Sequence, residues 1–373
     1  MIWFWDGFEN PNNLAWTLGG TFYLPTLQAS GGRLGGAFKI TDTHNFATLS
    51  SLDPLPGYAF GFAVKPEGIT QPVDLFTIWG DCNIPAHDYE RWGGLAFTAG
   101  GQLCWRVSVA GGYLNDDWTL SKMVYMGASI RAGMWTHIEV HIYNGYVTLW
   151  VDGLYLGAIA CDTINHVNLM YPYGITGHFP LWPPKLFQLG GESTWQRQDC
   201  PAVWFDDFYC ATRPTPDAPI GDLIIEKFFP SLDGNYQDWH PSVAGDHYAM
   251  VDEDPHDGDS SYVYAEEADI NAKDTYAFNV VARTGVPLSV MPFYMARKTN
   301  IGARALRAIS RLDPTDQFSD PFGIYSDWPL GTYKGFPIDS IDPMLAEFPT
   351  DATGAAWTWE SLEDSEFGMD VYA

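Results

Sequence analysis

Three residues on one short segment have types and spacing that could carry chemistry: His137, Glu139 and His141. On a β-strand, positions two apart project to the same face, so Glu139 would stand between two imidazoles. That set would suit a functional surface or a zinc-like cluster. The plainer reading, adopted here, is the polar outer face of a strand. A second candidate is the acidic run from Asp252 to Asp259. It misses the EF-hand pattern, because its Gly is displaced and no Glu closes the loop, and it reads as a solvated acidic loop. A third is aromatic. Tyr171, Tyr173, Phe179 and Trp182 are interleaved with prolines, and such a patch would bind a sugar ring or a protein neighbour. No GxSxG, HExxH, phosphate loop or GxGxxG occurs, so a non-enzymatic protein is expected.

Composition narrows the partners. The 373 residues carry a formal net charge of −27, with 27 Asp and Glu against 9 Lys and Arg after residue 217. Such a surface repels phosphate backbones and anionic lipid, so neither nucleic acid nor a membrane is expected as a partner. Only 17% of residues are charged while 16% are aromatic, a balance that favours large assemblies or sugar-binding surfaces. The five Cys show no CxxC spacing. The apolar start Met1 to Trp5 runs into Asp6-Gly7-Phe8-Glu9 without a basic n-region. Buried free thiols and assembly in a reducing cytoplasm are therefore expected.

The positioning elements read as short strands. Ala37–Ile40, Tyr58–Val64 and Leu103–Val109 are apolar, β-prone runs. The clearest signal is a meander from Trp135 to Ile159. Trp135–Tyr143 alternates apolar with polar, Asn144-Gly145 supplies a tight turn, Tyr146–Val151 returns, and Asp152-Gly153 turns the chain again. Prolines at 214, 216 and 219 break the pattern, which sets a first domain at 1–212, a stiff linker at 213–220 and a second domain at 221–373. In the second domain, strands are expected at Gly221–Phe229, Tyr276–Arg283, Ser289–Lys298 and Ala305–Leu312. A helical turn and a closing strand are expected in the tail. The fold class is all-β, a sandwich in each domain.

Two resemblances add to this. Trp135-Thr136-His137-Ile138 followed by Trp150-Val151-Asp152-Gly153 resembles the laminin-G-like and concanavalin-A-like jelly rolls, as do Asp6-Gly7-Phe8-Glu9 and Trp204–Tyr209 at the two ends of the domain. The resemblance implies that first and last strands are neighbours. It also implies a structural Ca²⁺ shared by an acidic opening and an Asp-Asp closing strand, here Asp6, Glu9 and Asp207, with the hard oxygen ligands that ion prefers. Glycosidases of that fold carry Glu-x-Asp-x-x-Glu on one strand, and this sequence does not.

The second half is similar to a domain of tailed-bacteriophage tail-fibre and decoration proteins. The similarity runs through Gly221-Asp222-Leu223, Pro230–Gly234, Trp239–Ser242, His247–Glu253, Asp257–Val263, Ala296–Thr299, Ala355–Thr358 and Glu366-Phe367-Gly368. It implies a virion structural protein, assembled in the host cytoplasm. It further implies contacts with other virion proteins, a host-surface glycan as a further partner, and a homo-oligomer. The alternatives are a glycan-binding adsorption protein and, third, a polysaccharide-degrading enzyme.

Overall fold

The computed structural model describes residues 2–6, 17–19, 26–28, 30–34, 36–42, 46–50, 57–81, 89–107, 122–143, 146–160, 184–190, 199–212, 218–253, 258–266, 269–299, 304–324, 334–336 and 348–372. The chain divides into two compact units between Glu226 and Lys227.

The first unit contains β1 (Ile2–Asp6), β2 (Thr17–Gly19), β3 (Thr26–Gln28), β4 (Ala37–Asp42), β5 (Phe46–Ser50), β6 (Gly57–Pro66), β7 (Val73–Asp81), β8 (Tyr89–Phe97), β9 (Gln102–Val107), β10 (Lys122–Ser129), β11 (Thr136–Tyr143), β12 (Tyr146–Val151), β13 (Leu154–Ala160), β14 (Pro184–Gly190) and β15 (Asp199–Thr212). They build two antiparallel sheets. One runs β13-β12-β11-β6-β15-β4-β3, with β1 also on β15; the other runs β10-β9-β8-β7-β14-β5-β2. Non-sequential neighbours in both sheets make this a jelly-roll sandwich. The expected meander is β11-β12-β13, paired from Ile138↔Val151 to Tyr143↔Tyr146. The first and last strands are neighbours, as the resemblance implied, with Asp6 opposite Phe208.

Between the sheets lies an aromatic core. Phe60 packs 4.8 Å from Phe187 and 5.2 Å from Phe76, and Phe187 stacks 5.1 Å from Phe208. All four are fully buried. Cys200 and Cys210 are buried in the same core, and Cys104 is buried as well.

Strand β15 solves a patterning problem. Phe205 and Phe208 are three apart, so strict alternation would send one of them outward. A bulge lies between Asp206↔Ala63 and Tyr209↔Gly61, and Asp207 sits in it with φ +50°. The extra residue returns Phe208 to the core and turns Tyr209 to the outer face.

The second unit contains β16 (Pro230–Gln237), β17 (His240–Pro241), β18 (Val263–Tyr264), β19 (Lys273–Phe278), β20 (Tyr294–Ala296), β21 (Arg304–Leu312), β22 (Thr315–Phe318), β23 (Phe322–Ile324), β24 (Lys334–Phe336), α1 (Trp359–Glu363) and β25 (Glu366–Val371). One sheet runs β16-β19-β25-β21-β22, with β23 also on β21, and β17-β18 and β20-β24 form small pairs. Phe367, Phe348, Trp357 and Leu362 make its core. Thr358 caps α1 through a capping box with Ser361.

Ala305–Leu312 is a strand, and the tail holds the expected helical turn and closing strand. The expected strands at Tyr276–Arg283 and Ser289–Lys298 shorten to Lys273–Phe278 and Tyr294–Ala296. The expected strand at Gly221–Phe229 does not form. That stretch carries no strand pairing, and its first residues belong to the first unit. The amides of Ile220, Gly221 and Ile225 are bonded by side-chain carboxylates instead of a neighbouring strand.

Candidate functional site

The site forms on the outer face of the first sheet, where β11, β6 and β15 lie side by side. The register sets Glu139 opposite Gly61, and Gly61 opposite Tyr209. A glycine between them leaves room for the Tyr209 ring to cross β6. Its hydroxyl donates to Glu139 Oε2 at 2.8 Å. His141 donates through Nε2 to Glu139 Oε1. The other two donors come from the strap, the segment after the prolines: Ile220 N at 2.7 Å and Gly221 N at 3.0 Å. Gly221 has φ +111°, a left-handed value that lets two successive amides converge on one carboxylate.

These residues are not a solvated face. His137, Glu139 and His141 are all buried, which corrects the reading of them as a polar outer surface. Sequence places them on one face, as expected, but the strap lies across Glu139. Burial by itself would push Glu139 up; the hydrogen bonds from His141, Gly221 and Ile220 outweigh it and hold the carboxyl below its ordinary value of 4.5. Burial also pushes His137 down, against the nearby charges of Asp222 and Glu139, so the ring is neutral at pH 7. Neither ring nitrogen of His137 has a hydrogen-bond partner among the described residues.

A carboxyl depressed in the folded state stabilises it above the ordinary value, and that contribution is lost as pH falls through the folded value. The difference in melting temperature between the wild type and Glu139→Gln is therefore expected to be full at pH 7 and to close below about pH 4.5. A difference that is constant from pH 7 to pH 3 would show that Glu139 does not ionise in place.

A second anchor fixes the strap. Arg33 reaches from the turn at 30–34 and forms a fork on Asp222, with Nη1–Oδ1 at 2.6 Å and Nη2–Oδ2 at 2.9 Å. The same Nη1 lies 3.1 Å from Asp207 Oδ2. The Arg33 amide donates to Asp206 Oδ2 at 2.5 Å, and Ile225 N donates to Asp207 Oδ1 at 2.7 Å. Burial would lower the Arg33 pKa, but the Asp222 hydrogen bond and the Asp207, Asp222 and Asp206 charges raise it.

This geometry bears on the calcium set. Asp6 lies in β1 beside the bulge, Glu9 lies outside the described residues, and Asp207 is buried in the bulge. As placed, Asp207 does not fit a calcium ligand, because one oxygen accepts the Ile225 amide and the other faces a guanidinium. The positive charge that the Asp-Asp pair calls for is supplied by Arg33. Among the described residues no three His, Cys, Asp or Glu converge as a metal centre requires. The aromatic set Tyr171, Tyr173, Phe179 and Trp182 lies outside the described residues.

Two features escaped the sequence reading. The first is the strap contact, with Arg33, Asp222 and Tyr209. The second is an aromatic row at the sheet edge. Trp150 pairs with Glu139 on one side and Tyr155 on the other. Its ring lies 4.3 Å from His141 and 5.4 Å from Tyr155. Tyr155 is 54% exposed, and Tyr146, on the same face of β12, is 49% exposed. Alternation along Tyr146–Val151 and the Asp152-Gly153 turn held the signal for that row.

The second unit has its own buried polar trio. His247 Nδ1 lies 2.9 Å from Asp274 Oδ1, and Tyr276 donates to Asp274 Oδ2 at 2.6 Å. Burial raises the Asp274 pKa, against the Tyr276 and His247 bonds.

No family model matches the chain, and no curated protein matches it in sequence. Solved structures similar to it include the endo-β-1,4-glucuronan lyase of the fungus Trichoderma reesei, 13% identical, with a TM-score of 0.41 over 60% of this chain and 100% of the lyase. Domain 4 of AbnA, a GH43 extracellular arabinanase of Geobacillus stearothermophilus, was solved with arabinotriose. It is 16% identical, with a TM-score of 0.36 over 56% of this chain and 91% of that one. Alginate lyase A1-II′, of polysaccharide lyase family 7, is 10% identical, with a TM-score of 0.37 over 55% and 97%. None of the three is a virion protein. They correct the expectation of a non-enzymatic chain: it rested on missing motifs, and two of the similar structures are polysaccharide lyases. At these scores neither substrate nor activity passes from them to this chain.

Proposed function

We propose that this is a glycan-recognition protein whose jelly-roll unit binds an uncharged oligosaccharide across the outer face of its first sheet. The observation that carries this is the pair of exposed tyrosines, Tyr146 and Tyr155, on one face of an edge hairpin, with the Tyr155 ring packed on Trp150. Aromatic faces offer apolar area at small entropic cost together with a polar tip, which suits the C–H face and hydroxyls of a pyranose. The two tyrosines stand four residues apart in register, about 13 Å along the strand, a span for a short chain of sugars. A net charge of −27 disfavours polyanionic glycans.

Tyr146→Ala and Tyr155→Ala are each expected to weaken binding of a neutral oligosaccharide about tenfold, a loss of roughly 1.4 kcal/mol, with unchanged melting temperature. A glycan array followed by calorimetry reads this. Binding that survives both substitutions together would sink the platform.

An assembly role in a virion, implied by the resemblance of the second half, is the second reading. It has its own supporting observation. Val281, Val286, Leu288 and Phe293 are 37–69% exposed along a stretch between β19 and β20 that carries no strand. Exposed apolar runs of this kind suit contacts with other subunits, including copies of the same chain. Mass spectrometry of purified virions is expected to find the protein; its absence from particles would remove this reading.

A further inference from the structure

We propose that the strap, Ile220–Ile225, is a built-in competitor that occupies the inner half of the glycan groove, and that its release opens a second set of subsites on Glu139, Tyr209 and His137. The inference rests on the glycan reading above and names how that same face is regulated.

The strap gives Glu139 two of its four donors. Two successive amides reach the two carboxylate oxygens at 2.7 and 3.0 Å, while Tyr209 Oη, whose proton goes to Glu139, lies 3.1 Å from Gly221 O. A carboxylate accepting two adjacent donors, with a hydroxyl beside it, is also the arrangement that reads two neighbouring sugar hydroxyls. Charge-assisted bonds of this type are the strong ones.

The face is also continuous. From the exposed Tyr155 a row of side chains leads through Trp150 and His141 to Glu139 and Tyr209, crossing the strands at one level. Under it β6 offers Ala59, Gly61 and Ala63, whose small size makes a trough. Tyr155 at the outer end of this row is exposed, whereas Trp150, His141, Glu139 and Tyr209 are buried.

His137 supplies the independent observation. It is 4% exposed, faces the strap residue Asp222 electrostatically, and has neither ring nitrogen hydrogen-bonded among the described residues. A buried imidazole left this way is destabilising, because its nitrogens have given up water without gaining a partner. A hydroxylated ligand in place of the strap would satisfy it, as both donor and acceptor.

The strap is held by contacts separable from the groove. Arg33 grips Asp222, and Asp207 accepts Ile225 N. The full chain is tested as wild type, Asp222→Ala and Ile225→Pro, the last of which removes one amide without touching the groove. Hydrogen exchange at Ile220 and Gly221 first establishes that the strap has opened. Calorimetry with cellohexaose, xylohexaose, mannohexaose and maltohexaose then reads affinity.

The expected result is at least tenfold tighter binding of one of these by both opened variants, with the gain abolished by Glu139→Gln in the Asp222→Ala background. Unchanged affinity despite faster exchange overturns the proposal, as does no binding by any form. Binding by the opened variants with none by the wild type supports the covered subsites and refutes the exposed Tyr146–Tyr155 platform. Binding by the wild type, lost in Tyr155→Ala and unchanged on opening, does the reverse.

Discussion

Gly61→Ala is expected to destabilise the first unit by about 4 kcal/mol, more than an ordinary overpacked site, where the cost is about 1–3 kcal/mol. The added methyl would stand 2.0 Å from Cζ of Tyr209 and 2.4 Å from its hydroxyl. The ring has no easy retreat, because Tyr209 is fully buried and its hydroxyl is bonded to Glu139. Moving it also breaks a hydrogen bond to a charged group, a loss of about 1.5–3 kcal/mol. In a unit of this size the change corresponds to a fall of roughly 8–16 °C in melting temperature. Denaturant unfolding of the single and double variants provides the check. In a Tyr209→Ala background the same glycine substitution is expected to cost about 1 kcal/mol or less, because the obstacle is gone. Additive effects would show that the ring is not what forbids a side chain at position 61.

Glu139→Ala is the second large effect, at about 3–5 kcal/mol. Four donors lose their acceptor at once: the Tyr209 hydroxyl, the His141 ring and the amides of Ile220 and Gly221. Each buried donor left alone carries a penalty of about 1–3 kcal/mol, offset where release of the strap lets water reach it. That offset predicts a pattern. Exchange protection is expected to vanish at Ile220 and Gly221 while the amides of β11 and β6 keep theirs. Glu139→Gln, which keeps one acceptor oxygen, is expected to fall between the wild type and alanine. A loss below about 1 kcal/mol for Glu139→Ala would mean that the carboxylate does not hold the strap.

The contrast between those two residues shows where sequence reasoning ends. Glu139 stood out at once, because strand alternation sets it with His137 and His141 on one face. Its meaning was still misread, since alternation assigns a face and cannot say what covers that face. The cover comes from 81 residues further along the chain, in a Pro-bounded stretch that has the composition of a linker and strand. Gly61 gave no sign in the sequence. One glycine in an apolar strand has many explanations, and only the Gly61↔Tyr209 register supplies the reason.

The sequence by itself determined the all-β class, the β11-β12-β13 meander and the pairing of first and last strands, because alternation, turn chemistry and the residues of the laminin-G-like resemblance are local signals. The bulge at Asp207 is an intermediate case. The run Phe205-Asp206-Asp207-Phe208 breaks alternation visibly, yet the sequence reading took Asp207 for a calcium ligand. Only the tertiary structure decided that Arg33, 174 residues away, supplies the positive charge there, and that the chain after the prolines folds back over Glu139. Both depend on which distant side chains the sheet order brings together, and a formal charge or an unpaired amide does not encode its partner.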